Sequence, residues 1–311
     1  MNTSIGIDFG GTSIKSAVVR DGVIVQRGTA IDPRIFPTSE GLIDALVAAI
    51  EKMRAAFPDI AGVGIGLPGF VDSVNGVVHH LTNVEGWTDV PLRQLLHDRI
   101  GVAVTIENDA NAMAYGEFKF GSASGGRHVV CVTLGTGVGG ALILDGQLYR
   151  GAQLAAGEIG HMSLDLRGRA GPYGNDGGLE EYVGNVQIAE RAVELYRADG
   201  RQKSTAECTP VALAAAAGNG DAIAAQLWED LGTELGAALA SVVWIINPDT
   251  IVIGGGVANA GELIFAPIRR QIRRRTLALF HENLRIVPAA LGNDAGIIGN
   301  AILALEAAQL S

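Results

Sequence analysis

The stretch IGIDFGGTSIKSAVV, residues 5 to 19, sets two apolar runs on either side of a glycine turn, and HVVCVTLGTGVGGALILDG, residues 128 to 146, repeats the design. An offset of 124 pairs Gly11 with Gly135, Thr12 with Thr136, Ala17 with Ala141, and Asp21-Gly22 with Asp145-Gly146. The Asp-Gly pair is a hairpin signal, so the first copy reads as strand, turn, strand, hairpin and third strand (VIVQRG), a β-meander. A repeat at so long a period implies a diverged internal duplication and two related lobes, whereas a period of 20 to 50 residues would imply a solenoid.

Outward from the first copy, a helix is expected from about Ser39 to Phe57, stopped by Pro58, and AGVGIGLPG reads as a buried strand ending in a Gly/Pro turn. Residues 91 to 99 read as a short helix opened by Pro91, followed by the strand VAVTIEND with its polar end at Glu107, Asn108 and Asp109. Beyond the second copy, Thr209-Pro210 opens a helical region. It breaks at Gly218-Asn219-Gly220 and resumes at Asp221 for a long Ala/Leu-rich helix ending at Asn247-Pro248. The strand TIVIGGGV, a basic helix, the strand LRIVPA and a final helix from about Ala295 complete an alternating α/β pattern.

With 311 residues, 48% hydrophobic and 18% charged, and a mean hydropathy of +0.27, the chain can bury a large core or two. A net charge of -10 opposes nucleic acid and anionic membrane as partners. The one basic cluster, Arg269, Arg270, Arg273, Arg274 and Arg275, reads as a solvated or subunit-contact helix face before an anion site. Nothing resembles a signal peptide or a membrane span, so a cytoplasmic protein is expected. Cys131 and Cys208 lie far apart and suggest neither a disulfide framework nor a metal cluster.

Three glycine turns stand at strand ends: Gly10-Gly11-Thr12, Gly135-Thr136-Gly137 and Gly254-Gly255-Gly256. Glycine there lets backbone N–H groups approach a phosphate, but one such turn is commonly only a turn. Two related hairpins and a third glycine corner make a nucleotide cleft the better reading. GTGVGG satisfies GxGxxG yet runs into a short apolar run closed by a hairpin turn, not a helix, which argues against a dinucleotide site; the P-loop pattern is absent. Asp109 stands before a helix and could simply cap it. Glu107, Asn108, Asp109 and Asn111, however, gather more carboxylate and amide than one cap requires, and such groups suit sugar hydroxyls. Asp8, inside the first strand, would be a costly buried carboxylate unless a magnesium ion near nucleotide phosphates explains it.

IGIDFGGTSIKSAVV, GIGLPGFVD, ENDANAMAYGEF, VTLGTGVGG, GEIGHM and IVIGGGV, in this order and spacing, resemble the sugar kinases of the ROK family, bacterial glucokinases in particular, from about residue 4 to 303. The resemblance implies an actin-like, ribonuclease H-like duplicated α/β fold. It also implies two lobes, 1–115 completed by a helix at about 295–311, and 116–294, with ATP and a hexose between them. Asp109 would be the general base for the sugar's primary hydroxyl. Gly69, Asn83, Asn108, Glu158, His161 and Glu180 would bind the sugar. Gly10, Gly11, Thr12, Lys15, Gly135, Thr136 and Gly137 would face the phosphates, Gly254, Gly255 and Gly256 the adenosine, and Asp8 the magnesium. A homodimer is implied as well. Repressors of the family carry a helix-turn-helix domain ahead of this first motif, but only seven residues precede Asp8, so DNA binding is not expected.

Most members of the family hold zinc between the GH histidine and three cysteines in a CxCGxxGCxE pattern. Here the aligned stretch is GPYGNDGGLE, with Gly171, Tyr173 and Gly178 at the cysteine positions. One histidine cannot hold a structural zinc, which needs four N or S ligands. A zinc-free loop that keeps His161 and Glu180 is expected, with the second ring nitrogen of His161 oriented by Asp165, Asp176 or a backbone carbonyl.

Overall fold

A computed structural model describes residues 3–81 and 87–310. The chain divides into two compact units, one made of residues up to 124, 148–156 and from 290 onward, the other of 125–147 and 157–289.

The first unit carries strands β1 (Thr3–Phe9), β2 (Ile14–Arg20), β3 (Val23–Arg27), β4 (Ile60–Leu67), β5 (Gly69–Asp72), β6 (Val77–Leu81), β7 (Thr88–Val90) and β8 (Ala103–Asn108). Its main sheet runs β3-β2-β1-β4-β8, antiparallel through the meander and parallel from β1 through β4 to β8. Strands β5 to β7 form a small antiparallel sheet that the sequence pattern did not announce. Helices α1 (Ser39–Ala56), α2 (Leu92–Ile100) and α3 (Asp109–Phe120) follow. Thr38 caps α1 through its hydroxyl, 3.2 Å from the Gly41 amide, and Leu42, Leu46, Ile50 and Met53 recur at helical spacing. That face meets Ile5, Ile7, Val63 and Ile65 of the sheet in one core.

The second unit repeats the plan. Strands β9 (Val129–Leu134), β10 (Val138–Leu144), β11 (Gln147–Tyr149), β12 (Thr250–Gly254) and β13 (Arg285–Pro288) are ordered β11-β10-β9-β12-β13. Again an antiparallel meander leads into parallel partners. Both units therefore have the ribonuclease H-like topology, and the chain has the duplicated actin-like α/β fold. The hairpins match in detail: Asp21 and Gly22 have φ of 50° and 79°, Asp145 and Gly146 54° and 75°, all in the left-handed region that a tight hairpin turn needs. GTGVGG leads into the strand β10, so the dinucleotide pattern is a coincidence of glycines.

Helices α4 (Glu180–Val183), α5 (Asn185–Ala198), α6 (Pro210–Gly218), α7 (Ala222–Ile246), α8 (Glu262–Arg275) and α9 (Ala278–His281) belong to this second unit. Asp221 caps α7 by accepting from the Ile223 and Ala224 amides at 3.0 and 3.1 Å, and Asn247 ends it in a left-handed conformation. Arg269 and Arg270 of the basic helix pair with Glu262 and Glu229, the behaviour of a solvated helix face. Cys131 and Cys208 carry buried thiols that are not bridged to one another. Among the described residues no helix is long and apolar enough to cross a membrane.

Helix α10 (Ala295–Leu310) closes the other face of the first unit's sheet. Glycine allows the close approach: a Cβ at Gly6 would strike the Ile297 carbonyl, and one at Gly64 the Asn300 carbonyl. Gly299 in turn sits against the Ala112 backbone of α3, and Asn300 Nδ2 donates to the Ile7 carbonyl at 2.9 Å. At these glycines the sheet, α10 and α3 approach backbone to backbone.

Candidate active site

At the C-terminal end of β1 the chain turns through Gly10-Gly11-Thr12, with the Gly10 amide donating to the Ser13 carbonyl at 3.2 Å. Thr12 and Lys15 are exposed beside it. Asp8 faces Lys15 across the β1–β2 ladder. Burial pushes the Asp8 carboxyl above the usual range, and the charge of Lys15 opposes that shift. The first turn of α10 approaches from the other side, where a Cβ on Gly296 would lie 3.7 Å from the Asp8 carboxyl.

At the end of β8 the structure corrects one expectation. Asp109 does not end the strand or cap the helix; Asn108 does both, its Oδ1 accepting from the Ala110 and Asn111 amides at 3.0 and 3.2 Å. Asp109 is the first helical residue, its Oδ1 2.8 Å from the Ala110 amide. Asn and Asp are equally good caps, so sequence alone could not choose between neighbours. Asn108 Nδ2 also reaches the Gly69 carbonyl at 3.4 Å, which brings Gly69 and Asn108 together. Asn83 lies outside the described residues.

In the second unit, β9 and β12 run parallel, and their C-terminal ends present Gly135-Thr136-Gly137 and Gly254-Gly255-Gly256. Gly255, at φ 85°, packs directly on the Leu134 backbone, where a Cβ would collide. The space a side chain would fill at Gly135 and at Gly256 is open, and Thr136 is exposed. Glu180 belongs to the same group of residues: its Oε2 accepts from the Val138 amide at 2.8 Å, just beyond the Gly137 turn.

Glu158 and His161 stand on the same segment, with Glu158 Oε2 4.0 Å from His161 Nε2. Burial raises the Glu158 carboxyl above its ordinary value, the His161 charge opposes this, and the Glu180 charge adds to it. Two acids, an imidazole and a glycine turn are therefore gathered in this unit, a donor and acceptor set suited to sugar hydroxyls. Of the three acceptors expected for the His161 ring, neither Asp165 nor Asp176 bonds to it. Asp165 instead accepts from the Arg167 amide, and the Asp176 carbonyl accepts from Ser163. The ring lies beside Glu158 and makes a T-shaped contact with Tyr173, with centroids 5.1 Å apart at 86°.

Zinc does not fit this loop. Gly171 and Gly178 offer no donor atoms, and the space between them is taken by Asn175. A Cβ on Gly171 would lie 2.8 Å from Asn175 Oδ1, and one on Gly178 3.3 Å from its Nδ2. That Nδ2 donates to the His161 carbonyl at 3.0 Å, so an amide joins the strands that a metal would otherwise tie. Among the described residues no three His, Cys, Asp or Glu side chains form a metal-ligating group. Magnesium places smaller demands, since it is commonly held through one or two carboxylates, phosphates and water, and Asp8 beside the Gly10-Gly11-Thr12 turn fits that use.

Two features of the candidate site escaped sequence reading. Arg150 forks onto Glu107, 43 residues away, and Asn175 stands among the former cysteine positions. Neither belongs to a motif with a spacing rule.

The ROK family model matches residues 4–307. A glucokinase of Streptomyces coelicolor is 34% identical over 98% of this chain and 98% of its own length. The crystal structure of a ROK family glucokinase from Streptomyces griseus in complex with glucose and AMPPNP is 33% identical, with a TM-score of 0.80 over 98% of this chain and 99% of that one. A ROK hexokinase from Thermus thermophilus is 30% identical, with a TM-score of 0.85 over 99% of this chain and 100% of that one. The chain belongs to the ROK family.

Proposed function

We propose that this protein is an ATP-dependent glucokinase, a sugar kinase that transfers the γ-phosphate of ATP to the 6-hydroxyl of glucose. The glucokinase relatives and the glucose- and AMPPNP-bound neighbour support this reading over their full lengths. The observation that carries the chemistry is the division of labour at α3: Asn108 caps the helix, and Asp109 follows it with a carboxylate that the cap does not require.

In the proposed reaction the O6 of glucose attacks the γ-phosphorus, the bond to the β,γ-bridging oxygen breaks, ADP leaves, and the O6 proton passes to Asp109. Phosphoryl transfer depends on positioning and charge neutralisation more than on covalent catalysis, so a weak base in the right place suffices. Asn108, Gly69, Glu158, His161 and Glu180 would orient the sugar, with Asn83 assigned to it by motif alone. Backbone amides at Gly10-Gly11-Thr12 and Gly135-Thr136-Gly137, with Lys15, would meet the phosphates, and Gly254 to Gly256 the adenosine. Magnesium at Asp8 would neutralise phosphate charge when bound. The zinc of the family would not be used.

The experiment is a coupled ADP-release screen over glucose, mannose, fructose, allose and N-acetylmannosamine, with ATP and then polyphosphate as donor. Glucose with ATP is expected to give the highest kcat/KM. A homodimer working in the cytoplasm is part of the same proposal and rests on the resemblance; light scattering tests the assembly.

A further inference from the structure

Glu107, next to last in β8, is 3% exposed, and a buried carboxylate is costly unless its oxygens are met by ionic and polar partners. Those partners come from two places. Oε1 accepts from the Asn108 backbone N–H and from Asn111 Nδ2, both at 3.0 Å. Oε2 accepts from Arg150 Nε at 2.7 Å, and a terminal nitrogen of the same guanidinium also lies 2.7 Å from it.

The result is a grip on both sides of Asp109. Asn108 precedes Asp109 and caps the helix, while Asn111 follows two residues later, and one carboxylate holds both. Arg150 lies in the 148–156 segment, which belongs to the first unit although strands of the second unit come before it. The planar fork suits this task, because it fixes the direction of the carboxylate as well as balancing its charge.

We propose that Arg150 is a positioning residue for phosphoryl transfer: it fixes Glu107, and Glu107 fixes the Asn108 backbone amide and the Asn111 side chain on either side of Asp109, which orients Asp109 toward the sugar hydroxyl. The proposal rests on Asp109 being the base. Misplacing a reacting group by about 1 Å costs roughly 10²-fold in rate, so loss of the fork should appear in kcat.

Steady-state kinetics of the full chain with glucose and ATP test this, using Arg150→Met, Arg150→Lys, the double variant Arg150→Met/Glu107→Gln, and Asp109→Asn. Arg150→Met is expected to lower kcat about 10²-fold with the KM for ATP within about twofold of the parent. Arg150→Lys, a point charge without the fork, should lose about tenfold. The double variant should regain about tenfold over Arg150→Met, because Glu107→Gln keeps an oxygen for Asn108 and Asn111 and leaves no unpaired charge. A purely structural role would not give that recovery in kcat alone. Should Arg150→Met fail to fold, Arg150→Lys and the double variant decide. Arginine variants within about threefold of the parent beside an inactive Asp109→Asn overturn the positioning role alone, as does a double variant no faster than Arg150→Met. Parental kcat in Asp109→Asn overturns the base and the proposal together.

Discussion

The side-chain amide of Asn175 donates to the carbonyl oxygen of His161 at 3.0 Å, and it does so in the space between Gly171 and Gly178 where the family's pattern places cysteine. This bond gives the loop a tie that needs no metal. Purified protein is expected to contain well under one zinc per chain by elemental analysis, and 1,10-phenanthroline in excess magnesium should leave its activity unchanged. Asn175→Ala should raise the sugar KM about three- to tenfold, the worth of one hydrogen bond, and leave the KM for ATP alone. Stoichiometric zinc, or loss of activity to the chelator, would contradict the exchange.

Glu158 should give sugar binding an acid limb that begins above pH 4.5, because burial raises its carboxyl from that value. Protonation removes an acceptor, so the sugar KM rises as pH falls through the raised value. The linkage to stability has the opposite sense: the folded state binds this proton more tightly, so the contribution to stability declines as pH rises from 4.5 through the folded value. Glu158→Gln should flatten the limb in a plot of sugar KM against pH. A limb that persists in the variant belongs to another group.

Two glycines should separate folding from binding. Gly64→Ala drives a methyl into the Asn300 carbonyl of α10 and is expected to cost about 2–4 kcal/mol, read as a lower unfolding temperature by circular dichroism. Gly135→Ala points into open space, so its unfolding temperature should match the parent while the KM for ATP rises about tenfold. Equal thermal effects of the two substitutions would contradict this assignment.

Glu117 is fully buried, and its two oxygens accept from the Ser122, Ala290 and Leu291 amides at 2.8, 3.1 and 2.7 Å. It thereby holds the chain ahead of α10 against the end of α3. Glu117→Gln turns one acceptor into a donor facing amides and should cost about 1–3 kcal/mol, measurable by urea unfolding. A neutral result would mean that these bonds do not limit stability.

Local chemistry explains what was legible in the sequence. Asp21-Gly22 and Asp145-Gly146 can be read because a tight hairpin requires positive φ and few residues accept it, so the duplication shows in the turns. Of the glycine corners, the one at the end of β12 is legible for the same steric reason, since Gly255 has a φ of 85°. The pairing of Glu107 with Arg150 is not, since an ion pair across 43 residues leaves no periodic trace. Nor is the capping role of Asn108, because Asp109 has the same local preference and only the end of β8 distinguishes them. The 148–156 segment belongs to the first unit and carries that same ion pair, and neither is a property of a short stretch.

The most direct measurement is glucose-dependent ADP release by Asp109→Asn, with glucose binding followed by calorimetry on the same protein. The variant keeps the size of the side chain and the Asn108 cap. If Asp109 is the base, kcat falls about 10²- to 10⁴-fold below the parent while glucose affinity changes by no more than about threefold. Turnover at the parental rate rules that role out.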